Sequence, residues 1–252
     1  SLASINDSLS KDHWLALYYP NMNLSGKAQV AGGKLSSSTI SSIKYNWGKN
    51  APISGMPSDQ FSASFYKKIE GGKDYFAVTY ADDGARVTVD NKTIINRWSG
   101  SAGTFNQGLI TNLSKGDKIA KIDYYDNTND AVLYADIVPL GDWYAFYYAN
   151  ESLKGTPVQT KVIKAASDGS LIQDFGKGSP ASGISEDSFS AKYFTAKNIK
   201  AGNYIIRAAA DDGVRVYIDG ELVLDRWTKE SYREDAVKVK ISDRKDRGPI
   251  HW

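Results

Sequence analysis

The chain of 252 residues has no cysteine, and histidine occurs only twice, as His13 and His251. Without cysteine the chain can form no disulfide and offers no thiolate metal ligand or thiol nucleophile. Two histidines are also too few for a histidine-rich zinc site, and they make a Ser/His/Asp triad hard to assemble. Most common designs of an enzyme active site are therefore excluded.

Long apolar runs are also missing. The run at residues 14–19 is far below the roughly 20 residues that a membrane-spanning helix needs, and it is too short for the core of a signal peptide. The run at residues 143–149, one residue longer, is likewise far too short to span a membrane. We expect no direct membrane insertion. The chain begins without methionine, which predicts either a mature exported protein or a fragment of a longer one.

No charge of one sign dominates. Residues 1–140 carry 14 Lys and Arg against 13 Asp and Glu, and residues 141–252 carry 17 against 16, so each half has a net charge of +1. This balance predicts no basic face and no nucleic-acid partner. A hydrophobic fraction of 41% and an aromatic fraction of 12% are sufficient for a packed core.

An internal repeat divides the chain. The two copies are offset by 129 residues over most of their length and by 128 in one stretch. The matching segments are 14–21 with 143–150, 47–63 with 175–191, 81–90 with 210–219, and 97–98 with 226–227. We therefore predict two domains, at 1–139 and 140–252. The short junction between them predicts that they pack against each other.

Both copies show the sequence pattern of β-structure. Apolar and polar residues alternate at 86–89, 214–218 and 237–241, as in half-buried strands. Asp219-Gly220 is a strong hairpin signal. Closely spaced turn signals and the lack of an amphipathic helix predict an all-β fold of two tandem antiparallel β-sandwich domains.

The repeated motif resembles a known family. Ala-Asp-Asp-Gly-x-Arg-Val, which begins at Ala81 and again at Ala210, is followed in each copy by Arg-Trp. This string is similar to that of the domain first named in anthrax protective antigen, which also occurs in flocculins, bacterial adhesins, glycosidases and signalling ectodomains. The resemblance implies a β-sandwich whose better-known members bind carbohydrate, some of them through a calcium ion (Ca2+).

The resemblance also implies a ligand set for calcium. In the calcium-dependent members the paired aspartates, joined by a cis peptide, chelate the ion together with a neighbouring loop. Calcium requires six to eight oxygen ligands, so such a loop is needed. The metal ligands that the resemblance implies are Asp82, Asp83, Asn127, Asp211 and Asp212.

Three further residues are candidates for ligand binding: Trp98, Trp227 and Asn129. The two tryptophans follow the acidic turns at equal distances and would stack on sugar rings. Core packing is the alternative for a tryptophan in a β-sandwich. Asn129 belongs to the same loop, 126–130, as the implied ligand Asn127.

The acidic turns have a simpler interpretation as well. Asp-Asp-Gly is a common turn sequence, in which aspartates cap backbone N–H groups and glycine adopts a positive φ. Catalysis is not expected, because the two carboxylates of a glycosidase are separated across a bound sugar, whereas Asp82 and Asp83 are neighbours in sequence.

We therefore expect an extracellular or cell-surface module that binds a polysaccharide or glycan with the help of calcium. The alternative is a structural or adhesive spacer, or a sensor ectodomain that contacts protein. By the repeat offset, the second copy should extend to about residue 266, yet the sequence stops at Trp252. We expect this copy to lack its last strands, with a truncated or disordered C-terminus or a strand exchanged with a neighbouring chain.

Overall fold

A computed structural model describes residues 2–242 and 250–251, and its regular structure is almost entirely β-strand. Among these residues there is one α-helix, α1 (Leu2–Asp7), and none of the helices is long and apolar enough to cross a membrane. Two 3-10 turns occupy Ala31–Gly33 and Leu35–Ser37. The all-β prediction is confirmed.

The first copy contributes ten strands. They are β1 (Trp14–Tyr19), β2 (Thr39–Ile40), β3 (Ile43–Gly48), β4 (Phe61–Glu70), β5 (Tyr75–Asp82), β6 (Gly84–Val89), β7 (Lys92–Arg97), β8 (Thr104–Ile110), β9 (Asp117–Asp126) and β10 (Ala131–Pro139).

The second copy contributes the remaining strands of the described chain. They are β11 (Trp143–Tyr148), β12 (Gln159–Ile163), β13 (Ser190–Phe194), β14 (Ala196–Lys197), β15 (Gly202–Ala210), β16 (Val214–Ile218), β17 (Glu221–Arg226), β18 (Arg233–Ile241) and β19 (Ile250–His251).

In the first copy the strands form two antiparallel sheets. One has the order β2-β1-β4-β9-β6-β7 and the other the order β3-β10-β5-β8. Alternate residues of the facing strands fill the space between the sheets, among them Phe65, Ile122 and Leu133, each fully buried. This arrangement is a β-sandwich in which the pleat places one parity of each strand in the core.

Among the described residues, the second copy has fewer strand–strand pairings than the first. At an offset of 129, counterparts of β9 and β10 would fall at 246–255 and 260–268, and the described residues of that range are 250–251, which form β19. In the first copy β3 pairs with β10, and in the second copy the corresponding segment, 171–176, forms no strand. That the second copy lacks its last strands stays a prediction, as does strand exchange with a neighbouring chain.

The two copies share an apolar core. The face of the β3-β10-β5-β8 sheet that points away from the first core packs against β11. Phe146, fully buried, has its ring 4.9 Å from that of Phe105 in an edge-to-face contact. The Tyr134 hydroxyl donates to the carbonyl of Pro157 at 2.8 Å. The copies are therefore packed neighbours, as the short junction predicts.

Truncation of Phe146 tests this shared core. Phe146→Ala removes a fully buried ring, so we expect it to lower the free energy of unfolding by about 3–5 kcal/mol. Tyr232→Ala is the control, because Tyr232 is 71% exposed, and we expect it to change stability by less than about 0.5 kcal/mol. Denaturant titrations that gave equal losses for both variants would contradict the packing.

Candidate functional site

Three aspartates converge at one end of the first sandwich. Asp82 is the last residue of β5, Asp83 follows it, and Asp126 is the last residue of β9. The sheets fix these positions, because Asp126 pairs with Phe61 and Asp82 pairs with Val132. Side chains from two different sheets thus meet at the same end of the domain.

The three carboxylates are close together. One oxygen from each of Asp82, Asp83 and Asp126 lies within 4.8 Å of the other two. The peptide bond between Asp82 and Asp83 is cis, as the family resemblance implies. Such a set of oxygen donors suits a hard divalent cation.

Asp126 is the unusual member of this cluster. Its side chain is fully buried, and neither carboxylate oxygen has a hydrogen-bond partner. Buried polar groups in proteins are nearly always hydrogen-bonded, because an unpaired one loses its hydration without compensation. An unpaired buried carboxylate that faces two others makes this cluster a candidate cation site.

The pKa values of two of the three aspartates are raised. Burial, followed by repulsion from Asp83, Asp59, Asp82 and Asp130, raises the pKa of Asp126 to about 7. Burial and the charges of Asp83 and Asp130 raise the pKa of Asp82 to about 6. In the described part of the chain, no Lys or Arg nitrogen lies within 4 Å of these carboxylates. The site thus concentrates negative charge without a protein cation.

Two loops orient Asp83. Its Oδ2 accepts the backbone N–H of Asn127 at 2.8 Å, and its Oδ1 accepts the N–H of Ser101 at 3.3 Å. The Ser101 hydroxyl lies 3.2 Å from the Ala81 carbonyl and 3.3 Å from that of Asp83. The hydroxyl of buried Tyr124 donates to the carbonyl of Asp82. These bonds fix the acidic turn before any ligand arrives.

The predicted loop residues lie beside the cluster. Asn127 contributes its backbone N–H to Asp83, and its side chain is exposed. Asn129 is exposed as well and has a positive φ of 69°. Both amides are thus placed at the solvent-facing rim of the site.

The predicted stacking residues are engaged by arginine. The Arg86 guanidinium lies 3.8 Å from the centre of the Trp98 ring, and Tyr125 packs against the same indole at 4.7 Å. In the second copy Arg215 lies 4.5 Å from the centre of Trp227. In both copies the arginine covers one ring face, so that face is not free for a sugar.

The second copy has a different arrangement. Asp211 and Asp212 are exposed, and no third carboxylate joins them among the described residues. The Arg226 guanidinium donates to the Asp212 carbonyl at 2.6 Å and pairs with Asp235. Arg226 also points to the Ala210 carbonyl at 3.4 Å. A metal role for Asp211 and Asp212 stays a prediction.

Asp126 was not among the residues predicted to bind metal, although the sequence contains a signal for it. Ile122, Tyr124 and Asp126 alternate along β9, and all three are buried. The period of two therefore places the aspartate on the core face of the strand. Asp59 and Asp130 complete the acidic surroundings and were not predicted either.

Comparisons with known proteins support two copies of one domain. A family model described as PA14 domain matches residues 6–130 and 141–247. The anti-sigma-I factor RsgI3 of Acetivibrio thermocellus is 23% identical over 228 residues. That match covers 79% of this chain and 34% of RsgI3, so the chain spans about a third of this relative.

A comparison with solved structures also gave matches. An anti-sigma factor domain-containing protein from Clostridium clariflavum is 21% identical, with a TM-score of 0.39 over 95% of this chain and 87% of that chain. A structure titled PA14 sugar-binding domain from RTX adhesin is 14% identical, with a TM-score of 0.36 over 51% of this chain and 90% of that chain.

The raised pKa of Asp126 predicts how stability depends on pH in a chelator. The folded value of about 7 exceeds the reference value of 3.8, so the folded state holds the extra proton between them. Stability is then greatest below this window and falls as the pH rises through it. We expect Asp126→Asn to reduce this fall in melting temperature.

Asp117→Asn is the matched control, since Asp117 lies at the other end of β9 and its side chain is 45% exposed. Its melting temperature should follow the parent profile from about pH 4 to about pH 8. If the melting temperature of Asp126→Asn followed the parent profile as closely as that of this control does, the raised pKa of Asp126 would be ruled out.

Proposed function

This chain belongs to the PA14 domain family, and we propose that its first copy binds a polysaccharide or cell-surface glycan through calcium held by Asp82, Asp83 and Asp126. The observation that carries the proposal is the buried, unpaired carboxylate of Asp126, which faces two other carboxylates. We place the chain outside the cell or at its surface, where such glycans occur.

The residues present fit calcium. Three carboxylates offer up to six oxygens, and carbonyl or amide oxygens of the 127–130 loop are near enough in sequence to add others. A coordination number of six to eight leaves room for ligand oxygens in such a set. When bound there, the ion would supply coordination positions for adjacent sugar hydroxyls.

The chain's own residues supply the rest of the recognition. The hydrogen bonds from Asn127 and Ser101 hold the Asp83 carboxylate in place, which lowers the entropic cost of ligand binding. The exposed amides of Asn127 and Asn129 stand at the rim, where they can hydrogen-bond sugar hydroxyls. Trp98 supports the site by packing against the Arg86 guanidinium and the Tyr125 ring.

Binding without hydrolysis is part of the proposal. A retaining glycosidase separates its two carboxyl groups by about 5–5.5 Å, and an inverting one by more, so that a sugar fits between them. Here one oxygen from each of the three carboxylates lies within 4.8 Å of the other two. This spacing favours one shared cation over an acid and a base on opposite sides of a bond.

A second candidate function is that of a sensor ectodomain. The match to an anti-sigma-I factor covers 79% of this chain, which is more than either copy alone contains. We propose that the tandem is the sensing part of a larger protein, with a glycan or a protein as the stimulus. Stability that is insensitive to calcium would favour a protein stimulus.

Calcium should stabilise the folded protein. At a concentration 100 times Kd, a ligand that binds only the folded state adds about 2.7 kcal/mol. Asp83→Asn and Asp126→Asn each remove a charge from the ligand set, so we expect calcium affinity to fall by about tenfold or more. Titration calorimetry and thermal melting measure both effects.

Asp117→Asn serves again as the control, and it should bind calcium with the parent affinity because it lies at the far end of β9. A parent protein that showed neither heat of binding nor a higher melting temperature in millimolar calcium would disprove the metal site.

Glycan binding should depend on the metal. We expect native gels containing xylan, mannan or pectin to retard the parent protein in at least one case when calcium is present. Addition of EGTA should abolish the retardation, as should Asp126→Asn. Migration unaffected by every polysaccharide would refute glycan binding, and equal retardation with EGTA would refute the role of calcium.

A further inference from the structure

The first strand of the second copy runs beside β5 in the same direction. Before these strands begin, the backbone N–H of Leu140 donates to the Asp74 carbonyl at 3.0 Å. Near their other ends, the Phe146 ring lies 6.4 Å from the Tyr80 ring, and Tyr148 belongs to the same apolar cluster. The loop that follows β11, residues 149–158, therefore emerges at the end of the sandwich where β5 reaches Asp82.

This loop, which we call the 149–158 loop, reaches the surroundings of the carboxylates. The Pro157 carbonyl accepts the Tyr134 hydroxyl, and the Thr156 side chain lies close enough to the Tyr80 hydroxyl to lower the pKa of Tyr80, although burial raises that pKa overall. Tyr80 is two residues before Asp82 on the same face of β5. The second copy thus contacts the first copy close to Tyr80, which is two residues from Asp82.

Tyr80 also contacts the loop that orients Asp83. A Cβ at Gly103 would lie 2.2 Å from the Tyr80 hydroxyl, so this hydroxyl packs directly against the 98–103 loop. Ser101 of that loop donates its N–H to Asp83. One tyrosine therefore joins the acidic turn, its supporting loop and the 149–158 loop.

The 149–158 loop is held in a fixed shape. The Asn150 side chain accepts the N–H groups of Ser152 and Lys154, each at 3.1 Å, and donates to the Lys154 carbonyl at 2.9 Å. The Ser190 hydroxyl accepts the N–H of Leu153 at 3.0 Å and donates to the Asn150 carbonyl at 2.6 Å. A loop held in this way can form one side of a binding site without being ordered when the ligand binds.

The first copy has the same loop with the same bonds. Asn21 accepts the N–H groups of Asn23 and Ser25, and Ser62 binds Leu24 and the Asn21 carbonyl. In the first copy this loop lies beside its own sheet end, since Ser62 pairs with Tyr125, the neighbour of Asp126. Two equivalent loops, one from each copy, therefore lie near the strand ends that carry the carboxylates of the first copy.

We propose that the 149–158 loop forms part of the ligand-binding surface of the first copy, so that a glycan held at Asp126 and its neighbours contacts both copies. This inference rests on the proposed function. Glu151, Ser152 and Lys154 are exposed on the loop, and their side chains are the hydrogen-bonding groups that sugar hydroxyls need. The tandem, and not the single domain, is then the unit that selects the glycan.

The test adds bulk to the loop without touching the carboxylates. Ser152→Trp and Lys154→Trp enlarge two exposed positions, and Lys92→Trp is the control in the β6–β7 hairpin at the opposite end of the sheet. Calcium affinity from calorimetry should stay within about twofold of the parent for all three variants. In the xylan, mannan or pectin gel that retards the parent, at least one loop variant should bind at least about tenfold more weakly.

The outcomes separate this inference from the function on which it rests. Retention of parent glycan affinity by both loop variants, with calcium affinity intact, would overturn the shared surface alone. Equal loss by Lys92→Trp would overturn it as well, since the effect would not belong to the loop. A parent protein that no polysaccharide gel retards in calcium would overturn the proposed function and this inference together.

Discussion

The repulsion among Asp82, Asp83 and Asp126 is the constraint on which the functional end of this protein depends. A buried carboxylate loses its hydration, and nearby charges of the same sign raise the cost of ionising it. Asp126 is fully buried and has no hydrogen bond, and its pKa is raised to about 7 for these two reasons. A fold that retains such a group gains little from it unless a cation binds.

The architecture places and holds this cluster. The ends of β5 and β9 bring the three aspartates together from two sheets, and the cores between and beyond those sheets keep the strand ends in register. Hydrogen bonds from Ser101 and Asn127 then fix Asp83. Rigidity of this kind would let a ligand bind at this site without first ordering the loops around it.

The two copies use different residues to contact equivalent carbonyls of the acidic turn. In the first copy the Ser101 hydroxyl lies beside the carbonyls of Ala81 and Asp83. In the second copy Arg226 supplies the donors to the equivalent carbonyls, those of Ala210 and Asp212. A guanidinium is a permanent cation, so the second acidic turn is partly neutralised by the protein itself.

Much of this organisation could be predicted from the sequence. The repeat and the alternating strands predict two all-β domains, and the duplicated Asp-Asp-Gly string identifies the acidic turn. Asp126 could not be assigned by the motif, because its role depends on which residues lie opposite the end of β9. Sugar stacking by Trp98 and Trp227 stays a prediction. An arginine from a neighbouring strand covers one face of each ring, and sequence spacing does not show that contact.

The domain boundary at 139/140 and every predicted metal ligand, Asp82 and Asp83 included, stay predictions. The chain alone does not fix them, because side-chain ligation depends on the ion as well as on the backbone. The shared core does show why the copies act as neighbours, since Phe146 of the second copy packs directly against Phe105 and Tyr80 of the first.

A crystal structure of the protein grown with calcium chloride tests the central claim most directly. The account predicts an anomalous peak with oxygens of Asp82, Asp83 and Asp126 at about 2.3–2.6 Å from it. A well-ordered site in which these carboxylates surround only water, or turn away from one another without a peak, would contradict it.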